Sequence, residues 1–264
     1  MMKSKIRIED LSLSFFHNSY ELKVIDKISF EVFENETIAV LGPSGCGKST
    51  LLKLIGGLNL DAIQSGNISI DQESPICYRK KGKTGFAFQN PVLLKWRNVF
   101  DNVMLPLELK NIDSENSNKK VYEVLRLTGL KEFAFVYPNE LSGGMKQRVN
   151  LARTIVHDPD LLLLDEPFGS LDEISRLKLN FILRRLLRMR KYTAIMVTHS
   201  LREALLISDR IILLTNRPSN VFYQFKPKLK NEVYPGIETS IEFNIELERL
   251  THYFLKLEDD AYKI

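Results

Sequence analysis

The chain of 264 residues has only two cysteines, Cys46 and Cys77, which excludes a fold stabilised by a disulfide framework. It also lacks internal repeats and low-complexity blocks. Its hydrophobic share of 44% and charged share of 27% exclude a collagen-like, mucin-like or wholly disordered chain. We therefore expect a globular protein that functions in a reducing compartment.

Long hydrophobic runs are absent as well. The longest apolar stretches, such as 161–164 and 211–214, are far below the roughly 20 residues that a membrane-spanning helix needs. The first ten residues carry five charged side chains with no apolar segment behind them, unlike a secretion signal. We therefore expect a soluble, cytoplasmic protein that serves a membrane only through a partner.

The chain has no large excess of charge of one sign. It contains 37 lysines and arginines and 33 aspartates and glutamates, for a formal net charge of +4. An excess of this size is common on solvated protein surfaces and does not by itself indicate nucleic-acid binding. One predicted helix ends in a basic run, which we interpret as a solvated face. The run consists of Arg184, Arg185, Arg188, Arg190 and Lys191.

Short, nearly uninterrupted apolar segments are present, and they favour strands buried on both faces of a mostly parallel sheet. These segments lie at 37–41, 161–164, 194–197 and 211–214. Helices are predicted at 49–60 and 174–190. The alternating segments 6–16 and 25–33 predict an antiparallel flank, and the polar stretch 110–120 predicts a loop. The predicted fold class is therefore α/β.

The composition changes after Pro218, where aromatic and glutamate residues precede a single helical pattern around 245–257. We therefore divide the chain into a domain at 1–218 and a small C-terminal extension at 219–264. The sequence does not indicate what the extension does.

The segment GPSGCGKS at 42–49, followed by Thr50, fits the phosphate-loop pattern GxxxxGK[ST] between a predicted strand and a predicted helix. Glycines let successive N–H groups point at one anion, and the helix N-terminus adds a favourable dipole. Lys48 supplies charge at the β- and γ-phosphates, and the Ser49 hydroxyl is a ligand for Mg²⁺. The sequence thus predicts a nucleoside triphosphate site with Mg²⁺. Its predicted binding residues are Gly42, Pro43, Ser44, Gly45, Cys46, Gly47, Lys48, Ser49 and Thr50.

The predicted buried strand at 161–164 ends in two acids, Asp165 and Glu166. At this end of the strand Asp165 is predicted to meet the Mg²⁺, and Glu166 to polarise or deprotonate the attacking water. Phosphoryl transfer requires mostly positioning and charge neutralisation from the protein. A strand that merely ends in a solvated acid pair is the alternative, and the phosphate loop upstream argues against it.

The segment LSGGMKQR at 141–148 completes a set that resembles the nucleotide-binding subunit of an ATP-binding cassette (ABC) transporter, whose signature is LSGGQ-like. Here the fifth residue is Met145. Ser142 can cap the following helix, which leaves the N–H groups of Gly143 and Gly144 free for phosphate. The resemblance implies that this loop binds the γ-phosphate held by the other subunit of a dimer, so that one chain does not form a complete site.

Three further residues match positions of the family. Gln89 matches the Q-loop glutamine, Asp172 the D-loop aspartate, and His199 the switch histidine that reaches the γ-phosphate. Ser200 and Glu203 also form a capping-box pattern that fixes the next helix. The resemblance thus implies catalytic roles for Glu166, His199, Gln89 and Lys48, nucleotide contacts for Gln89, Asp172 and His199, and Mg²⁺ ligands Ser49, Gln89 and Asp165.

Adenine recognition requires an aromatic face or an apolar clamp, and the family places an aromatic residue upstream of the phosphate loop. Phe15 matches best by register, with Phe16 and Tyr20 as nearby competitors. Core packing is the usual role of a phenylalanine, so the choice among the three stays open.

The resemblance extends from about residue 6 to 218 and implies a P-loop NTPase fold, an ABC ATP-binding domain with a helical signature subdomain at about 90–150. The stretches PVLLKWRNVFDNV, EPFGSLD and DRIILLTNRP are similar to importers of the nitrate, sulfonate and taurine type. Lys95 replaces a usual proline and Ser219 a usual glycine of that subgroup. Both departures lie outside the nucleotide chemistry and weaken only the inference about the substrate.

The implied function is ATP hydrolysis that energises the import of small solutes across the cytoplasmic membrane. Two copies would enclose two ATP molecules between them. This dimer would bind permease subunits on the inner face of the membrane, and a solute-binding protein would act with it indirectly. No nucleic-acid partner is expected. One alternative is a soluble ABC ATPase that acts on nucleic acid or ribosomes, which usually has two cassettes or a coiled-coil insertion. A lipid-handling ABC subunit is the other alternative, and the Pro-Phe-Gly-Ser segment after Glu166 argues against it.

Overall fold

In a computed structural model of the chain, residues 3–17, 20–169, 171–229 and 236–261 are described. Ser170, which falls within the predicted D-loop, and part of the predicted C-terminal extension lie outside these ranges. The described strands are β1 (Ser4–His17), β2 (Tyr20–Phe33), β3 (Thr37–Leu41), β4 (Ile63–Ile70), β5 (Thr84–Ala87), β6 (Leu161–Asp165), β7 (Thr193–Val197), β8 (Arg210–Leu214) and β9 (Val221–Phe225). The described α-helices are α1 (Lys48–Ile55), α2 (Pro75–Lys80), α3 (Val99–Leu109), α4 (Ser114–Leu127), α5 (Gly143–Ile155), α6 (Glu173–Arg190), α7 (Leu201–Ile207) and α8 (Ile241–Ala261).

The core is a six-stranded sheet in the order β5-β6-β7-β3-β8-β9. Its first five strands are parallel and β9 is antiparallel to β8. All residues of β3, β6 and β7 are buried, as expected for strands covered on both faces. The prediction of an α/β fold with a mostly parallel core sheet is therefore confirmed.

A second, three-stranded antiparallel sheet has the order β2-β1-β4. It contains the predicted antiparallel flank, although β1 and β2 are longer than the segments predicted for them. The two strands pair along nearly their whole length, and this pairing extends them into polar sequence where the alternation fades.

Two boundaries differ from the prediction. The helix predicted at 49–60 ends at Ile55, because Gly56 and Gly57 follow and Gly57 has a φ of +73°. The loop predicted at 110–120 is wrong, since α4 begins inside it. Asp113 caps α4 by accepting a hydrogen bond from the Asn116 N–H, and the buried residues Val121, Val124 and Leu125 come only after the polar first turns.

The region after residue 218 begins with β9, which pairs with the edge of the core sheet, so the division drawn at 218 falls between two paired strands. The helical pattern predicted around 245–257 lies within α8. Tyr223 of β9 stacks on Tyr253 of α8, with ring centroids 4.1 Å apart. Among the described helices, none combines the length and hydrophobicity that a membrane-spanning segment requires.

Candidate functional site

The phosphate-loop segment connects β3 to α1, as predicted. The buried Lys48 side chain lies against this loop, and its Nζ donates hydrogen bonds to the carbonyl oxygens of Gly42 and Pro43, each at 2.8 Å. Gly47 has a φ of +106°, and a Cβ at this position would lie 2.7 Å from Cγ1 of Val24. Glycine is therefore required where the loop turns into the helix and passes the neighbouring strand.

Two acidic residues stand at the carboxyl end of β6. The Ser49 hydroxyl donates a hydrogen bond to Oδ1 of Asp165 at 2.7 Å. Burial raises the pKa of the Asp165 carboxyl, and the nearby Glu166 raises it further, while the hydrogen bond from Ser49 opposes the rise. A buried carboxylate beside a serine hydroxyl is an oxygen donor set that suits Mg²⁺, which in nucleotide sites takes one or two protein ligands and phosphate oxygens.

The Glu166 carboxylate brings together three of the predicted catalytic residues. Nε2 of Gln89 donates a hydrogen bond to Oε2 of Glu166 at 3.0 Å, and Nδ1 of His199 lies 3.4 Å from the same oxygen. Glu166 has a φ of +42°, and its N–H donates to the Val197 carbonyl at 2.9 Å. The left-handed backbone is uncommon for a residue with a side chain and marks a position with a special role.

A cavity of about 580 Å³ joins these groups. Its lining combines the apolar side chains of Phe15, Leu22 and Val24 with the phosphate loop and the polar residues Gln89, Glu166 and His199. Phe15 lines the cavity, whereas its competitors Phe16 and Tyr20 are exposed elsewhere on the same hairpin. The cavity also contains Leu22, Val24 and Arg217, none of which was predicted as a site residue. Arg217 belongs to the stretch DRIILLTNRP, whose resemblance to the importer subgroup suggested no role in nucleotide binding. The lining residues from the predicted loop are Gly42, Ser44, Gly45, Gly47, Lys48, Ser49 and Thr50.

Two residues of the predicted loop take other positions. Cys46 is buried behind the loop with its Sγ 3.8 Å from Nζ of Lys48, and burial raises the pKa of its thiol. Pro43 presents its carbonyl oxygen to Lys48 and is not among the residues that line the cavity.

The signature segment lies apart from this cavity. Ser142 caps α5, its Oγ accepting a hydrogen bond from the Met145 N–H at 3.2 Å, as predicted. Ser142 and Gly143 are exposed, and a Cβ at Gly143 would meet nothing within 4 Å. Asp172 is also exposed and caps α6 by accepting a hydrogen bond from the Ser175 N–H at 2.9 Å, which lowers the pKa of its carboxyl. None of these residues, nor Gly144, lines the cavity.

One face of α5 holds the segment that leads to Gln89, a connection that sequence reasoning missed. Nε2 of Gln147 donates to the Gln89 carbonyl at 3.0 Å, and Nδ2 of Asn150 donates to the Phe88 carbonyl at 3.2 Å. Oγ1 of Thr154 donates to the Phe86 carbonyl at 3.4 Å. These three polar residues recur at helical spacing, and that is the only sign of their role in the sequence.

The predicted capping box after His199 forms only in part. The Ser200 hydroxyl accepts a hydrogen bond from the Glu203 N–H at 3.3 Å, as predicted. The Glu203 carboxylate does not return to the Ser200 N–H; it accepts from the Thr198 hydroxyl, which in turn accepts from the Ser200 N–H at 3.1 Å. Burial raises the pKa of the Glu203 carboxyl, which is 5% exposed. Glu203 is thus hydrogen-bonded to Thr198 and Ser200, the two residues that flank His199.

Comparison with known proteins agrees with this geometry. The family model described as ABC transporter matches residues 25–169. The chain is 40% identical to an uncharacterized ABC transporter ATP-binding protein of Methanocaldococcus jannaschii, MJ0412, over 92% of this chain and 88% of that protein. It is 37% identical to the aliphatic sulfonates import ATP-binding protein SsuB of Bacillus anthracis, over 90% of this chain and 91% of that protein.

Among solved structures, the chain is similar to the dimeric structure of MJ0796, described as a bacterial ABC transporter cassette. The TM-score is 0.76 at 30% identity, with 85% of this chain and all of that chain covered. A second structure of the same cassette, a dimeric post-hydrolysis state bound to ADP and Pi, has the same TM-score at 29% identity and equal coverage. The family model covers more than half of the chain, and a relative above 30% identity covers nearly all of it. The chain therefore belongs to the ABC transporter family, as an ATP-binding subunit that hydrolyses ATP.

Proposed function

We propose that this chain is the ATP-hydrolysing subunit of an ABC importer for small solutes of the sulfonate and taurine class. The observation that carries the proposal is the cavity in which the phosphate loop, the Ser49–Asp165 pair and the Glu166 carboxylate meet. The solute class rests on relatives named as import ATP-binding proteins for aliphatic sulfonates and, in Rhizobium johnstonii, for taurine.

ATP would occupy the cavity with its triphosphate on the phosphate loop. Lys48, which is bonded to two loop carbonyls, lies where a turn of its side chain brings Nζ to the β- and γ-phosphates. Glu166 accepts a proton from the attacking water, and Gln89 and His199 orient the carboxylate that does so. Ser49, Asp165 and Gln89 would hold Mg²⁺, which would supply positive charge to neutralise the phosphate oxygens.

Two copies would form two complete sites. Ser142, Gly143 and Gly144 lie outside the cavity of their own chain, and the exposed start of α5 presents free N–H groups to an anion. The dimeric cassette structures support a second copy as the source of that phosphate. ATP favours the closed dimer because only that state makes both sets of phosphate contacts.

The segment after Gln89 is the proposed contact with the permease. Val92 and Trp96 are 67% and 75% exposed, an unusual position for large apolar side chains. The same segment is joined to the site through Gln89 and to α5 through Gln147. A permease docked there would hold the chain on the inner face of the membrane and sense the state of the site, while a solute-binding protein delivers the solute.

Reconstitution tests this proposal. The full chain, its permease and its solute-binding protein are placed in proteoliposomes, and ATP hydrolysis is measured with taurine, an alkanesulfonate or no solute. We expect the solute-loaded binding protein to stimulate hydrolysis, and a Lys48→Ala complex to show none. Stimulation by RNA or ribosomes without the permease, and none by any solute, would overturn the importer assignment.

A further inference from the structure

Arg217 lines the cavity together with Phe15, Leu22 and Val24, and the importer-like stretch that contains it was given no role in the site. Its side chain is exposed, and within the described residues its guanidinium has no hydrogen-bond or ion-pair partner. The neighbouring side chains come from the β1–β2 hairpin, whereas Arg217 comes from the turn between β8 and β9. A charged group thus joins three apolar side chains in the lining of the cavity.

The backbone that carries Arg217 is fixed against the same hairpin. Ser219 is completely buried; its N–H donates to the Val24 carbonyl at 2.9 Å, and its own carbonyl accepts from the Asp26 N–H at 2.9 Å. The Ser219 hydroxyl also donates to the Val24 carbonyl at 3.2 Å. The serine that departs from the importer subgroup therefore adds a hydrogen bond at this junction.

The turn itself is closed by hydrogen bonds. The Thr215 N–H donates to the Asn220 carbonyl at 3.0 Å, and the Asn220 N–H donates to the Thr215 hydroxyl at 2.9 Å. The turn holds its shape on one side and is pinned to β2 on the other. The backbone of the turn is thus already ordered, so the exposed Arg217 side chain can contact a bound ligand without the cost of ordering the loop.

The lining of the cavity identifies the ligand part that Arg217 meets. A triphosphate on the loop already has Lys48 and the N–H groups of the loop as partners, which leaves the apolar side chains of Phe15, Leu22 and Val24 for the nucleoside. A guanidinium is planar, always charged and weakly hydrated, and it stacks on aromatic faces, which a compact ammonium does not do in the same way. We propose that Arg217 stacks on the nucleobase of ATP and contributes to nucleotide affinity. This inference rests on the proposed function, because it takes the cavity to be the ATP site.

Binding measurements on the full chain test this role. Titration calorimetry with ADP, competition with inorganic tripolyphosphate and steady-state ATPase kinetics are compared for the parent, Arg217→Ala and Arg217→Lys. We expect both variants to bind ADP roughly 5- to 30-fold more weakly, the size of a partly desolvated cation–π contact. The KM for ATP should rise with kcat unchanged, because a contact made equally in ground and transition states is lost. Tripolyphosphate, which has no base, should compete equally well against all three.

Arg185→Ala is the matched control, since Arg185 is an exposed arginine on α6 outside the cavity, and it should bind ADP like the parent. Parental ADP affinity in Arg217→Ala would overturn the inference. So would an equal loss of tripolyphosphate binding, because tripolyphosphate has no base and the loss of its binding indicates a contact with phosphate. Failure of the proposed function is distinct: the parent itself would bind no ADP, or Lys48→Ala would bind it as tightly as the parent.

Discussion

The phosphate loop and the signature segment, the two segments proposed to bind phosphate, have opposite surroundings. Around the phosphate loop, Lys48 and Asp165 are buried and bonded to Gly42, Pro43 and Ser49, so the groups are already held in place. At the signature segment, Ser142 and Gly143 are exposed. The phosphate loop is thus a pre-formed half of the proposed site, whereas the signature segment is a surface that, in the proposed dimer, acquires its function from a second molecule.

The two regions also bury different kinds of polar group. The cavity side buries the carboxylates Asp165 and Glu203, whose pKa values burial raises. The signature helix buries the neutral side chains of Gln147, Asn150 and Thr154, each hydrogen-bonded to a backbone carbonyl. Buried charge costs more than a buried, satisfied amide, so pH should act through Asp165 and Glu203 and not through these three neutral side chains of the signature helix.

Glu166→Gln should have the largest effect. The amide keeps the size of the carboxylate and still hydrogen-bonds water, but it does not accept a proton in the same way. We expect hydrolysis to fall by about 10²- to 10⁴-fold while ATP binding survives. Because the γ-phosphate then persists, ATP should hold the chain as a dimer in size-exclusion chromatography.

Lys48→Ala also alters the phosphate-loop region, but it should affect ATP binding as well as hydrolysis. It loses the fixed cation of the loop and should neither hydrolyse ATP nor dimerise under the same conditions. Hydrolysis at the parental rate by Glu166→Gln would assign the base elsewhere, and His199 would then be the candidate, with Gln89 positioning the water, because both contact the same Glu166 oxygen.

Gly143→Asp tests whether the exposed signature segment is needed for ATP hydrolysis. An aspartate in the first turn of α5 is favoured by the helix dipole and has open space around its Cβ, so the fold should tolerate it. Its charge repels the phosphate that the partner presents. We expect normal ATP binding by the chain and an ATPase rate at least tenfold below the parent.

A mixture of two inactive variants then tests whether the segments serve opposite sites. A dimer of one Lys48→Ala chain and one Gly143→Asp chain contains one intact phosphate loop facing one intact signature segment. Mixing should restore activity that neither variant has alone. Strictly additive, near-zero rates at concentrations where the parent dimerises would show that each chain uses its own signature segment.

The contrast between the two regions also explains how far the sequence predicted the site. Strand, glycine loop and helix follow one another in the chain, so local pattern was enough to locate Lys48 and Ser49. Asp165 followed from the end of a buried strand. The contacts of Gln147 with the Gln89 carbonyl and of Ser219 with Val24 join segments far apart in the chain, and periodicity has no information about such pairs. The helix at 114–127 was missed because its first turns are polar and its buried face appears late.

Gln147→Ala should have a smaller effect, and it tests the contact between the signature helix and the segment that carries Gln89. It removes the hydrogen bond from α5 to the Gln89 carbonyl without touching the cavity. We expect stability to fall by about 1 kcal/mol and the ATPase rate to fall several-fold, with ATP affinity little changed. Lys119→Ala on the exposed face of α4 is the control, and an equal loss of rate in both variants would exclude a specific coupling role.

Glu203→Gln should have the smallest effect, and it depends on pH. Burial raises the pKa of Glu203 above its ordinary value of 4.5, so the folded state binds the proton more tightly than the unfolded state. The stability that this adds is complete below pH 4.5 and is lost as the pH rises through the folded pKa. The amide oxygen of glutamine still accepts the hydrogen bond from Thr198 and never ionises. We therefore expect the variant to melt roughly 2–4 °C above the parent at pH 8, the shift for about 1 kcal/mol, and the difference in melting temperature to shrink on acidification toward pH 4.5.

Gln147→Ala, which alters a neutral group, is the control. Its melting temperature should follow the parental pH profile at a constant offset. If the melting temperatures of Glu203→Gln and the parent differed by the same amount at every pH, Glu203 would ionise in the folded protein as freely as in the unfolded chain. The difference in buried charge between the two regions would then have no effect on stability.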